Sequence, residues 1–280
     1  MKKQHFIALL IVILFGTAKL NFEQRLSEAN RAAFFHGAKL DLSLRQQIGQ
    51  AGFLAALGGF RSVVADFLWI EGHIAWEQTR WGRMALLFND ATTLQPRNLM
   101  FWDISAWQLG WNASIAALND VHQPDKARRI ETQHQYWKAA EDVYLRGIQN
   151  NPDYYYLYEM LADLYRDKFQ DHLKAFEYYD KAARFPNAPI YEKRMAAYQL
   201  SYVPDREKEA YGLLLKYFNM GEKEHLPELL TRLQYLENKL NVPASQRVQL
   251  TPEDLQELKN LPNRENISPA QGGGNPDKKP

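Results

Sequence analysis

The sequence predicts an all-α fold, and three observations carry that expectation. Apolar residues recur at three- and four-residue spacings, as on one face of a helix. Between Asn21 and Leu261 no stretch alternates β-branched residues as a half-buried strand does. Pro96, Pro124, Pro152, Pro186, Pro204 and Pro243 break the chain into pieces of helix-hairpin length, since proline removes an amide donor and ends a helix.

Taken in order, residues 1–22 read as a signal peptide or signal anchor. Lys2 and Lys3 precede an unbroken apolar run, Phe6 to Phe15, and the small residues Gly16-Thr17-Ala18 follow. Phe6 to Ala18 spans 13 residues. As a helix that is about 20 Å, short of a hydrocarbon core of about 30 Å, which favours cleavage. Extension to Phe22, with Lys19 snorkelling to the interface, gives an uncleaved anchor instead. No Cys follows the run, so a lipoprotein anchor is excluded. In both cases the chain after Lys19 is expected outside the cytoplasm, in the periplasm or its equivalent, tethered to the inner membrane if residues 6–22 persist.

Residues 23–59 form a further helical segment, and 60–241 are the main helical domain. Within it, a helix from Arg61 to Thr79 places Leu68 and Gly72 four apart, and Met84, Phe88, Ala91 and Pro96 mark a second helix. Trp102, Ser105-Ala106 and Leu109 open the next hairpin, closed by Ala140, Tyr144, Gly147 and Pro152. Tyr158, Leu161-Ala162 and Tyr165 then pair with Ala175, Tyr179, Ala182 and Pro186. A weaker unit runs from Tyr191 to Phe218, with Met195-Ala196, Ala210, Leu214 and Tyr217 in phase. The stretch 225–240 caps the open end. In 242–262, Thr251-Pro252-Glu253-Asp254 starts a short helix expected to pack loosely. Residues 263–280, rich in Gly, Pro and Asn, are expected to be disordered.

These spacings resemble the tetratricopeptide repeat, a helix–turn–helix unit of about 34 residues. The resemblance covers roughly residues 60–218 and rests on spacing more than on residue identity. It implies antiparallel hairpins stacked as a right-handed solenoid, the first helix of each lining a concave side. The physical reading is that Gly72, Ala140, Gly147, Ala175 and Ala182 let helices approach while Trp102, Tyr144, Tyr158 and Tyr179 fill between them. An irregular helical bundle is the alternative. One departure stands out. Leu109 and Ala140 are 31 residues apart, where the repeat leaves about nine. The surplus, at about 112–138, lengthens both helices of one hairpin with the turn near Asp120 to Asp125. That hairpin is either a partner-docking arm or a plain elaboration.

The chemistry is largely exclusion. With 34 Lys+Arg against 33 Asp+Glu and no basic block, phosphate neutralisation offers no route to nucleic acid. Zero Cys removes disulfides, thiolate metal sites and a Cys nucleophile. No two His stand at helical metal-binding spacing, and nucleotide-loop, dinucleotide and serine-elbow motifs are absent, so no metal, cofactor or catalytic residue is expected. All seven Trp lie between Trp69 and Trp137. Trp69, Trp76, Trp107 and Trp111 line either an aromatic groove with Asp66, His73 and Asp103 as polar anchors, or a core. Arg61 and Asp66, inside an apolar stretch after Gly58-Gly59, read as a buried structural pair. The expectation is a non-catalytic scaffold of a bacterial-type cell envelope that binds a peptide or helix of another protein. The alternative is a carbohydrate- or lipid-handling envelope component that uses the Trp-lined groove.

Overall fold

A computed structural model describes residues 59–260, all helix and connecting turns with no strand among them. The expectations for 1–22, for 23–58 and for 263–280 concern residues outside that range. Among the described residues no helix is long and apolar enough to cross a membrane. The chain divides into two compact units between Leu157 and Tyr158.

In the first unit, α1 (Arg61–Glu77) and α2 (Trp81–Leu94) pack together as a hairpin. Thr79 makes the turn in the left-handed region at φ 55°. Its core is Ala65, Ala91, Leu94 and Phe101, with Val64, Leu68 and Trp69 against it. Gly72 faces the Phe88 ring across the hairpin. A Cβ there would lie 2.4 Å from a ring carbon of Phe88, so the aromatic ring occupies the space that glycine leaves.

Next, α3 (Leu99–Trp107), capped by the Asn98 side chain accepting from the Phe101 amide, runs through a π-helical stretch, Gln108–Ala113, into α4 (Ser114–Leu118). The return helix α5 (Lys126–Asn150) begins at Asp125, which accepts the Ala127 amide at 2.9 Å. The lengthened hairpin thus turns over residues 119–125. Here Gly147 faces Trp102, and a Cβ would stand 3.1 Å from its side chain. The Trp102 indole and the Asn151 amide both donate to the Pro96 carbonyl, at 2.8 and 2.9 Å, pinning the connection after α2 to the far end of the hairpin.

The second unit starts within α6 (Tyr155–Leu164), which passes into a π-helical turn, Tyr165–Phe169. Gln170, at φ 53°, ends it, and α7 (His172–Ala183) begins on an Asp171 cap. Then come α8 (Ile190–Leu200), α9 (Glu207–Phe218), α10 (Pro227–Lys239) and α11 (Pro252–Asn260). A core of Ala197, Leu200, Ala210, Leu214, Leu229, Leu233 and Leu236 joins α8, α9 and α10. Two of the buried charged groups there are well paired. Arg232 donates twice to Ser201, at 2.7 Å each, and lies over the Tyr202 ring. Glu237 accepts the Val248 amide at 2.7 Å and the Tyr211 hydroxyl at 3.2 Å.

The terminal helix corrects the expectation of loose packing. Thr251 and Asp254 exchange amide-to-side-chain bonds at 3.2 and 2.9 Å, a reciprocal cap. Asp254 is itself buried against His225 at 3.1 Å, whose ring stacks on Phe218. A capping residue therefore doubles as the anchor of α11.

Candidate functional site: an aromatic surface on the first unit

The seven groove candidates divide between core and surface. On α1, Trp69 is half-buried and stacks on Phe88 at 4.4 Å and on Phe101 at 4.3 Å. His73 sets its ring against the edge of Trp69 and donates from Nδ1 to the Trp69 carbonyl at 2.9 Å. Both are held by packing, and Trp76 is half-buried on the same helix. Asp66 is exposed and accepts from the Gln95 amide at 3.3 Å. Of the Arg61 and Asp66 pair, Asp66 thus lies on the wet side of α1, while Arg61 is half-buried with its Nε enclosed.

Trp107 remains at the surface, with Trp111 half-buried beside it. Trp107 is 43% exposed, and its ring lies nearly parallel to that of Trp111, with centroids 6.4 Å apart. The pair straddles the junction of α3 with the π-helical stretch. A π turn spaces bonds at i→i+5 and so inserts one residue into the helix, a feature found often at functional sites. On the same continuous helix Met100 and Ile115 are also exposed, which extends the apolar stripe in both directions. Asp103, half-buried beside it, accepts the Tyr144 hydroxyl at 3.3 Å. Tyr144 is fully buried, so this bond fixes the carboxylate to the core.

Sequence reasoning missed a second surface. Val63, Phe67, Ile70 and Ile74, at spacings of four, three and four, are all exposed on α1, Phe67 by 66%. The signal was available. Arg61–Glu77 is apolar almost all round, which marks a helix buried on more than one side. Exposed apolar stripes of this length are where protein partners or membranes are met.

The residues chosen for repeat packing lie inside. Gly72, Trp102, Ala140, Tyr144, Gly147, Ala175, Tyr179 and Ala182 are buried, while Tyr158 is half-buried and Pro152 stands exposed at its turn. One acid of the first unit is also sequestered. Asp90 is 4% exposed, with the Asn89 amide at 3.4 Å, and burial pushes its carboxyl up to about 6. Among the described residues no group of three or more His, Asp or Glu is arranged to hold a metal ion. What the surface offers is flat apolar area with a fixed carboxylate at its margin, which suits binding. No family model matches the chain, and no curated protein matches it significantly.

Proposed function

We propose that this chain is a tetratricopeptide-like interaction scaffold of the cell envelope, without catalytic activity, binding a peptide or helix of another protein on the aromatic surface of its first unit. The observation that carries the reading is exposed Trp107 with half-buried Trp111 stacked beside it, set on the α3–α4 helix between exposed Met100 and Ile115. Aromatic side chains supply large contact area at low entropic cost, because few torsions are left to freeze. The reading of residues 1–22 as a signal or anchor places the scaffold outside the cytoplasm.

Affinity capture from detergent-solubilised envelope, with the full chain as bait, tests this. A defined protein partner recovered with wild type and lost with Trp107→Ala/Trp111→Ala supports it. Absence of any such partner, together with measurable turnover of an envelope substrate, overturns it. The near-parallel Trp107 and Trp111 rings, 10° apart, favour one second reading, a platform for the flat face of a sugar ring. In that case the same double substitution abolishes glycan binding and leaves protein capture unchanged.

A further inference from the structure

The exposed apolar face of α1 is a second surface, and its register points to what covers it. Val63, Phe67, Ile70 and Ile74 are all exposed, while the other side of α1 is taken: Ala65, Gly72 and Ala75 are buried, and Gly72 meets Phe88 of α2. The face runs over 11 residues from Val63 to Ile74, or about 16 Å of helix. The charged residues exposed on α1 are Asp66, Glu71 and Glu77, all acids.

The chain outside the described residues ends at Gly58, at the N-terminal edge of this face. Gly59 follows at φ 87°, a conformation at which helices commonly end, and Phe60 then caps α1. The link Gly58-Gly59-Phe60 has the length of the turn that joins α1 to α2, residues 78–80, where Thr79 likewise takes a left-handed conformation. Two helices joined by so short a link are an antiparallel hairpin. The sequence before Gly58 carries the matching pattern. Val63, Phe67, Ile70 and Ile74 stand 4, 8, 11 and 15 residues after Gly59; Ala55, Ala51, Ile48 and Leu44 stand 4, 8, 11 and 15 residues before it. At that spacing the second set also shares one side of a helix. In a hairpin turning at Gly59, each residue of one set lies level with its counterpart in the other. Phe67 and Val63 then face alanines, the same large-against-small fit that Phe88 makes with Gly72.

We propose that the Val63–Ile74 face of α1 is the docking site for this chain's own residues 44–57, laid antiparallel along it. Charge selects this occupant. From Leu42 to Ala65 the sequence has no Asp or Glu, and residues 44–57 carry Arg45 as their one charge, so they approach the acidic margins of the face without repulsion. A second copy of α1 would bring Asp66, Glu71 and Glu77 against the same acids, and an anionic bilayer would meet them with like charge. The three-residue link holds the segment beside the face at high effective concentration, an advantage that no free partner has. The Trp107 surface is left open for a partner, while the α1 face is closed within the molecule.

Cysteine crosslinking of the full chain tests the proposal, and the sequence has no Cys of its own to interfere. Treated with a short bismaleimide, Ile48→Cys/Ile70→Cys is expected to form a link within one chain, read by intact mass and by the linked peptide. Its yield should exceed that of Gln46→Cys/Ile70→Cys by about fivefold, because position 46 falls on the far side of a helix that presents position 48. Equal yields from the two pairs would overturn the proposal. So would links formed only between two chains, which would give the face to a second copy. Loss of the 48–70 link on adding phosphatidylcholine–phosphatidylglycerol vesicles would give it to a bilayer. Urea unfolding followed by tryptophan fluorescence is a second readout that needs no crosslink. Phe67→Asp is expected to lower the midpoint by about 1 M, while Val121→Asp, at a position 83% exposed, leaves it unchanged. An unchanged midpoint for Phe67→Asp would place the face in water. Neither readout involves Trp107, so the outcome is independent of partner capture there.

Discussion

The two units fill the space between their helices by different means. In the first, the space beside Gly72 is filled by Phe88 and that beside Gly147 by Trp102, with Tyr144 and Phe101 buried as well. In the second, leucines and alanines with Tyr198 and Tyr217 make the core of α8 to α10, and more buried charge is threaded around it: Glu192, Arg232, Glu237 and Asp254 are all under 9% exposed. Hairpins of one general pattern can thus be closed by shape or by electrostatics. A shape-filled interface is sensitive above all to volume, Asp90 being the one acid of the first unit described as sequestered. A charge-bearing one tolerates small volume changes and responds to protonation.

Four substitutions break or sharpen that contrast. All seven Trp fall between Trp69 and Trp137, so tryptophan fluorescence reads the first unit alone, while far-ultraviolet dichroism reads both. The largest effect is expected for Phe88→Ala. Removing a fully buried ring stacked on Trp69 leaves a cavity against Gly72 and should cost about 3–5 kcal/mol in urea unfolding followed by fluorescence. Gly72→Ala is next. The added methyl meets the Phe88 ring, and overpacking of this kind costs about 1–3 kcal/mol in the same assay. An unchanged midpoint would mean that the hairpin can part freely, and the shape argument would fail.

Glu192→Gln should act in the opposite sense and only across a pH window. The folded-state carboxyl, at about 8, lies above the ordinary glutamate value of 4.5. Between those values the folded chain holds a proton that the unfolded chain has released, so stability falls as pH rises through the window. The amide removes that dependence. At pH 8.5 the variant should exceed wild type by about 1–3 kcal/mol, the cost of an uncompensated buried group. At pH 4 the two should coincide, as seen by dichroism-monitored unfolding. Equal stability at both pH values would place the Glu192 carboxyl in water. Smallest of all, Trp107→Ala, at an exposed position, should change stability by less than about 0.5 kcal/mol while weakening partner binding. A loss as large as that of Phe88→Ala would return Trp107 to the core.

Much of the helical plan is legible in the sequence because its signals are local. Pro96 and Pro152 fall at turns, Asp125 and Thr251 begin helices as hydrogen-bonding caps do, and the phase of Met84, Phe88 and Ala91 marks a face that is buried. Gly72 and Gly147 show as small residues set against aromatic partners. The site is less legible, since solvent exposure is decided by neighbours distant in sequence. Trp69 and Trp107 look alike along the chain, yet one stacks on Phe88 and Phe101 while the other faces solvent. Asp66 sits among apolar residues and still lies on the wet side of α1. Glu192, one acid among 33 Asp+Glu, follows two exposed residues in a first helical turn, where an acid is ordinarily a solvated cap. Nothing local announces that Glu159, 33 residues earlier, stands opposite it. The π-helical turns at Gln108–Ala113 and Tyr165–Phe169 leave no pattern in the sequence either, and they set the positions of Trp111 and Arg166.

Under the proposed function, exposed Trp107 and its neighbour Trp111 are a contact surface for another protein. Site-specific photocrosslinking tests it most directly: p-benzoylphenylalanine in place of Trp107 in the full chain, irradiated in intact cells, with adducts resolved by mass spectrometry. One predominant protein adduct is expected at position 107 and none at exposed Leu173, where the same probe serves as control. Adducts of equal yield and identity at both positions, or none at 107, would contradict it.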